Sequence, residues 1–231
     1  MLILGIESAT AQVGCAVGGH EGVIASTHSS RPRRHCESLA PQIQFIAEQA
    51  GIKLTEIGAV AIDVGPGLYT GLRVGVTTAV AIAHTLHVPM IGVSSLDLLA
   101  FPVAHTERVI VAAVDARRGE VFHATYRSVP GGVQRMTEPG VARPEELLSD
   151  IVAEHDEVLL VGDGALHHHE VFDKVSGVEI ADSRLTFPSA SSLVLLAHSK
   201  ALREEFVMPS EIEPLYLRRP DAEAKWESKA G

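Results

Sequence analysis

Short apolar runs alternate along this chain with longer stretches in which apolar positions recur every three or four residues, the mark of strands interleaved with helices. Leu2 to Ser8 is an apolar strand ending on an acid, Glu7, with further strands near Gly14 to Val17 and Gly22 to His28. Glu37 to Ala50 carries Leu39, Ile43, Ile46 and Ala50 at helical spacing. Ile57 to Asp63 reads as a buried strand, Leu72 to Leu86 as a helix, Met90 to Val93 as a short strand and Ser95 to Ala104 as a helix. The order then recurs. Val109 to Asp115 again ends on an acid, a turn at Arg117-Arg118-Gly119 leads to a strand near Val121 to Arg127, and another follows near Val133 to Met136. Pro144 to His155 and Ser189 to Glu205 read as helices, with a strand at Val158 to Gly162. The repetition predicts an α/β protein of two duplicated βββαβα units. Expected boundaries are 1–105, 106–213 and a tail, 214–231, that packs on the body or on a partner.

Between the strand Ile57–Asp63 and the helix from Leu72 lies Gly65-Pro66-Gly67-Leu68-Tyr69-Thr70-Gly71-Leu72-Arg73. A Gly-rich turn that opens a helix presents backbone N–H groups to an anion. Gly65 and Gly67 permit positive φ and close backbone approach, and Thr70 is placed to cap the helix. The spacing matches neither a Walker loop nor a dinucleotide fingerprint. A tight turn without ligand therefore stands beside the anion reading. Arg73, one turn into the helix, is the candidate anion contact, or else a surface cation paired with Asp63 or with a carboxylate of a partner.

The helix from Leu72 is apolar almost all round. Leu72, Val76, Ala79, Val80, Ala83 and Leu86 make one face; Val74, Ala81 and Ile82, with small Thr77 and Thr78, fall elsewhere. A helix of that kind is covered on both sides. The helix Glu37–Ala50 puts Phe45 outside its core stripe, beside Gln42 and Gln49. These residues define an expected partner surface, unless the two helices merely cover each other.

The 231 residues are 46% hydrophobic and 21% charged, enough for an ample core. A net charge of −10 makes the chain a poor stand-alone nucleic-acid binder. Two cysteines, Cys15 and Cys36, form no disulfide framework. No membrane span and no secretory leader is expected, and a cytoplasmic location is the default.

Two βββαβα halves, an acid ending each first strand and a Gly-rich turn before an apolar helix resemble the actin-like ATPase, sugar-kinase and chaperone-ATPase superfamily (ribonuclease H-like fold). Within it the chain resembles the bacterial TsaB (YeaZ) family of tRNA threonylcarbamoyladenosine biosynthesis proteins. The segments that carry this are Ile3 to Thr10, His35, Gly65 to Arg73, Pro89 to Leu96, Ala113 to Val121 and Pro214 to Arg218. The resemblance implies a non-catalytic scaffold and activator that dimerises with a catalytic, metal-bearing TsaD-type paralogue and works with a small TsaE-type ATPase. It implies tRNA contact only through that complex, and an interface that includes His35 and the two helices above. A homodimer is expected of the isolated chain. No cofactor is expected to be required, although ATP or ADP at the partner boundary is allowed for. The nucleotide or anion contacts would then be Glu7, Ser8, Thr10, Gly65, Gly67, Thr70, Arg73 and Asp115.

An autonomous phosphotransferase of the sugar-kinase type is the alternative. It is weakened because the turn Glu7-Ser8-Ala9-Thr10 lacks the glycine that wraps a phosphate, and because Arg117 and Arg118 offer no metal ligation. A TsaD-type metal site needs two histidines four apart on a helix, but Leu39 stands four residues after His35. His167-His168-His169 reads as a polar loop, since consecutive side chains do not converge on one ion. Peptidase chemistry lacks an oriented nucleophile and base: His35 and Cys36 are adjacent, and neighbours do not face each other on a helix.

Overall fold

The computed structural model describes residues 1–30 and 35–218, without the side chains of His35 and Cys36. The first half runs β1 (Leu2–Glu7), β2 (Val13–Gly19), β3 (Gly22–Ser29), α1 (His35–Ala50), β4 (Ile57–Gly65), α2 (Tyr69–Leu86), β5 (Met90–Ser94) and α3 (Ser95–Ala100). Its strands form one sheet in the order β3-β2-β1-β4-β5. The first two pairings are antiparallel, and β1, β4 and β5 run parallel. The second half runs β6 (Val109–Arg117), β7 (Glu120–Val129), β8 (Gly132–Arg135), β9 (Gly140–Ala142), α4 (Pro144–Glu154), β10 (Val158–Val161), α5 (Asp163–His167), α6 (His169–Phe172), β11 (Val178–Ile180) and α7 (Ala190–Leu202). Its sheet has the order β11-β10-β6-β7-β8, with β9 added to β7. Read from the antiparallel edge inward, the two sheets repeat one topology, as the duplicated pattern predicts.

Alternation along the strands divides the first sheet between two layers. Leu4 and Ile6 of β1 face a core shared with Leu39, Ile43 and Ile46 of α1 and Val76, Ala79 and Ala83 of α2. Ile3 points the other way and packs with Leu193 and Ala197 of α7. α7 thus crosses back to cover the first sheet, although it follows every strand of the second. α3 follows the last strand of the first sheet and packs on β6. Gly5 permits the close crossing of α7: a Cβ there would lie 2.9 Å from Val194 Cγ2 and 3.2 Å from the Ala190 carbonyl.

Some elements differ from expectation for physical reasons. α2 starts at Tyr69, with Leu68 as N-cap and no side-chain cap, so Thr70 sits within the first turn and caps nothing. The entry is set by tertiary contact instead: the Leu68 N–H donates to the Ala9 carbonyl at 2.6 Å. α3 gives way to a 3₁₀ turn at Phe101–Val103, with Pro102 inside it. The His167–His169 run is not a loop; it joins α5 to α6, two helices too short to leave a periodicity. Ser94 and Ser189 cap α3 and α7 through their hydroxyls, accepting from the Leu96 and Ser192 N–H groups.

Because α7 is the element of the second half that secures the first sheet, the fully buried Leu193 is a sensitive point. Leu193→Ala should lower the unfolding free energy by about 2–5 kcal/mol, read from urea denaturation by tryptophan-independent circular dichroism. A loss below about 0.5 kcal/mol would contradict the packing described.

Candidate functional site

Four acids of the cleft end strands or open a helix. Glu7 ends β1, Asp63 lies near the end of β4, Asp115 near the end of β6, and Asp163 opens α5 after β10. Glu7, Ser8, Thr10 and Asp63 are all buried. Glu7 Oε1 accepts from the Ala9 N–H at 2.9 Å, while Oε2 has no partner. Burial, with the neighbouring Asp63 adding to it, raises the Glu7 carboxyl well above its ordinary range. Asp63 accepts from the Ser95 hydroxyl at 2.7 and 2.9 Å and from the Gly65 N–H at 2.8 Å. Burial outweighs those bonds and raises it to about 7. Asp163 is raised by burial too, and it accepts from the Asp115 N–H at 2.9 Å. Asp115 is held by Arg117 at 2.9 Å and approached by His167 at 3.4 Å.

The Gly-rich loop covers the first of these acids. Gly65 has φ +101, and a Cβ on Gly67 would fall 2.1 Å from the Ala9 carbonyl oxygen. Gly67 is needed for contact between this loop and the turn after β1, and Gly65 for the approach of Leu72 and the Leu215 carbonyl, so the loop's close approach is to protein. The Ser8 hydroxyl donates to the Gly71 carbonyl at 2.9 Å, fastening the same turn to α2. Arg73 does not pair with Asp63. It is exposed, donates to the Tyr69 hydroxyl at 3.0 Å and lies over that ring. The structure therefore brings Glu7, Ser8, Thr10, Gly65 and Gly67 together in a closed layer, and leaves Thr70, Arg73 and Asp115 outside it.

The described end of the chain crosses the mouth of the cleft. The Leu215 N–H donates to the Val64 carbonyl at 2.7 Å, Arg218 donates to the Ala116 carbonyl at 3.0 Å and pairs with Glu120, and the Tyr216 ring lies 5.2 Å from that of Tyr69. What remains beneath is a cavity of about 140 Å³. Sites for drug-sized ligands span about 300–1,000 Å³. The cavity left in this chain alone is below that range, and the Asp63 carboxylate is bonded by the Ser95 hydroxyl and the Gly65 N–H. Among the described residues no three His, Cys, Asp or Glu side chains are arranged to hold a metal ion. Cys15 is buried, with its thiol pushed up to about 12, and is no nucleophile. The His35–Cys36 pair lies outside the described side chains.

On the far side of the first sheet from α7, α1 and α2 border an apolar groove of about 720 Å³. Thr77, Thr78, Ala81 and Ile82 line it from α2, facing Ala40, Gln44 and Ala47 of α1, with Ile52 and Leu54 at one end. Four expected interface residues thus share one wall. Gln42, Phe45 and Gln49 do not line the groove; they occupy the opposite flank of α1, where Phe45 is half exposed. Val74 packs against the core. Sequence reasoning missed Ala40 and Ala47, whose small size beside the core stripe is the available signal, and Ser95, whose link to Asp63 is purely tertiary.

The chain's relatives fit this picture. Residues 22–226 match the family model described as TsaD: tRNA N6-adenosine threonylcarbamoyltransferase. The solved YeaZ from Pseudomonas aeruginosa superposes with a TM-score of 0.82 at 25% identity, covering 94% of this chain and 99% of that one. The fold is therefore of the actin-like ATPase type, and its cleft is closed. The chain is 31% identical over 221 residues to the tRNA threonylcarbamoyladenosine biosynthesis protein TsaB of Escherichia coli (strain K12), covering 94% of this chain and 95% of that protein. It is 28% identical over 228 residues to TsaB of Bacillus subtilis (strain 168), covering 98% of each. It belongs to the TsaB family of tRNA threonylcarbamoyladenosine biosynthesis proteins.

The buried acids make a prediction about pH. A carboxyl whose folded pKa is raised binds more protons when folded than when unfolded, so its contribution to stability falls as pH rises from its unfolded value of about 4 to the folded value of about 7. Asp63→Asn, which keeps an acceptor for Ser95 and Gly65, should gain stability over the parent on the order of 2 kcal/mol at pH 8 relative to pH 4.5, by denaturant midpoints at both values. A parent–variant difference that does not change with pH would contradict the assignment.

Proposed function

We propose that this chain is the non-catalytic scaffold and activator subunit of a tRNA threonylcarbamoyladenosine-synthesising assembly, pairing with a TsaD-type paralogue and working with a TsaE-type ATPase. The observation that carries this is the contrast between its two concave regions. The cleft where actin-like ATPases do their chemistry is closed by its own loop and chain end, leaving about 140 Å³. The groove between α1 and α2 is open, apolar and about 720 Å³. An exposed apolar groove on a globular chain is a docking feature, and a paralogue with the same helices offers a complementary face. Contact with tRNA by the catalytic machinery then comes through the assembly. In isolation the same groove supports self-association between two copies of the chain. Any ATP or ADP belongs at the boundary with the partner, where a second wall enlarges the space available.

Ala81 tests this better than Val74, because it is exposed on the groove wall whereas Val74 also serves the core. Ala81→Arg should abolish the stoichiometric complex with the TsaD-type protein of the same cell. Light scattering coupled to size exclusion reads the complex, and the thermal midpoint should stay within about 2 °C of the parent. An undiminished complex would refute the surface.

A further inference from the structure

The α1–α2 groove is apolar but carries one charge. Of the residues that line it Glu48 alone is ionisable, and the polar remainder are Gln44, Thr77 and Thr78. Glu48 is exposed, and its Oε1 accepts from the Gln44 Nε2 at 2.9 Å, one turn earlier on α1. No cation pairs with it among the described residues. It stands in the last turn of α1, which holds no basic residue, so its carboxylate faces the negative end of the helix dipole. Within the chain taken alone, both its place on the helix and its apolar surroundings disfavour an anion. The Gln44 side-chain oxygen and Glu48 Oε2 are left as acceptors. The Thr78 hydroxyl donates to the Val74 carbonyl at 2.8 Å, which leaves its oxygen an acceptor as well. The polar wall of the groove is therefore weighted toward acceptors and has no cation.

We propose that Glu48 selects the occupant of the groove: a partner helix whose apolar face carries one arginine or lysine set to meet the carboxylate, in preference to a second copy of this chain. A guanidinium or ammonium group there makes a charge-assisted hydrogen bond to Oε2 and offsets the unfavourable position of the anion on α1. A second copy seated groove to groove brings another Glu48 and no lining cation, so self-association gathers like charges in apolar surroundings. Apolar contact attracts either occupant, and the carboxylate distinguishes between them. The inference rests on the groove being the partner surface, and it adds the chemistry by which that surface separates paralogue from self.

The test is calorimetry of the full chain with the TsaD-type protein of the same cell at about 50 mM and about 500 mM salt, beside sedimentation equilibrium of the chain alone. The parent's affinity for the paralogue should fall about fivefold across that range, while its self-association does not weaken. Glu48→Gln keeps the shape of the side chain and an acceptor for Gln44. It should bind the paralogue about fivefold more weakly at low salt, lose the salt dependence, and self-associate about threefold more tightly. Glu48→Lys suits the end of α1, so it keeps the fold, and it should weaken the complex about twentyfold. Unchanged affinity and salt dependence in Glu48→Gln, with Ala81→Arg still abolishing the complex, would overturn this inference and leave the surface standing. Equal losses in both associations would also overturn it, since they assign the residue to packing. An undiminished complex with Ala81→Arg removes the surface itself, and the inference with it.

Discussion

Much of this molecule hangs on one backbone contact, the Leu68 N–H donating to the Ala9 carbonyl with Gly67 pressed beside it. It docks the loop before α2 onto the turn after β1. Only a residue without Cβ fits at Gly67, because a Cβ there would sit well inside contact distance of the Ala9 oxygen. The same contact sets where α2 begins, since Leu68 also accepts from the Leu72 N–H to start the helix. Ser8, bonded to the Gly71 carbonyl, holds the arrangement from the other side.

Two consequences follow from that docking. Glu7 and Asp63 are sealed beneath the loop without a cationic partner among the groups that bond them, so burial favours their protonated forms. The docking also fixes α2 so that Thr77, Thr78, Ala81 and Ile82 stand at a groove shared with α1. Closure of one concave region, to which residues 215–218 also contribute, and exposure of the other thus share one loop placement. The return of α7 over Gly5 then ties the second half to the back of the same sheet.

The duplicated topology was legible because strand and helix periods are local and the two acids, Glu7 and Asp115, mark equivalent strand ends. The need for glycine at 65 and 67 was legible as well, but its object was not: Ala9, against Gly67, and Leu215, against Gly65, are remote in sequence, and nothing in the loop says that protein rather than phosphate approaches it. Helical spacing identified the core stripe of α1 through Leu39, Ile43 and Ile46. It could not say which flank of that stripe adjoins α2, and Phe45, the more conspicuous side chain, lies on the flank away from the groove. The His167–His169 run was misread because α5 and α6 are each about one turn long. Arg73 was seen as an anion contact or a partner of Asp63; its true neighbour, Tyr69, lies one turn before it on the same helix.

The central claim is that the α1–α2 groove, and not the cleft, is the working surface for the partner. Hydrogen–deuterium exchange of the chain with and without the TsaD-type protein tests it most directly. The account predicts new protection concentrated in residues 40–54 and 77–82. Protection confined to residues 65–69, 115–118 and 215–218, with the groove unchanged, would contradict it.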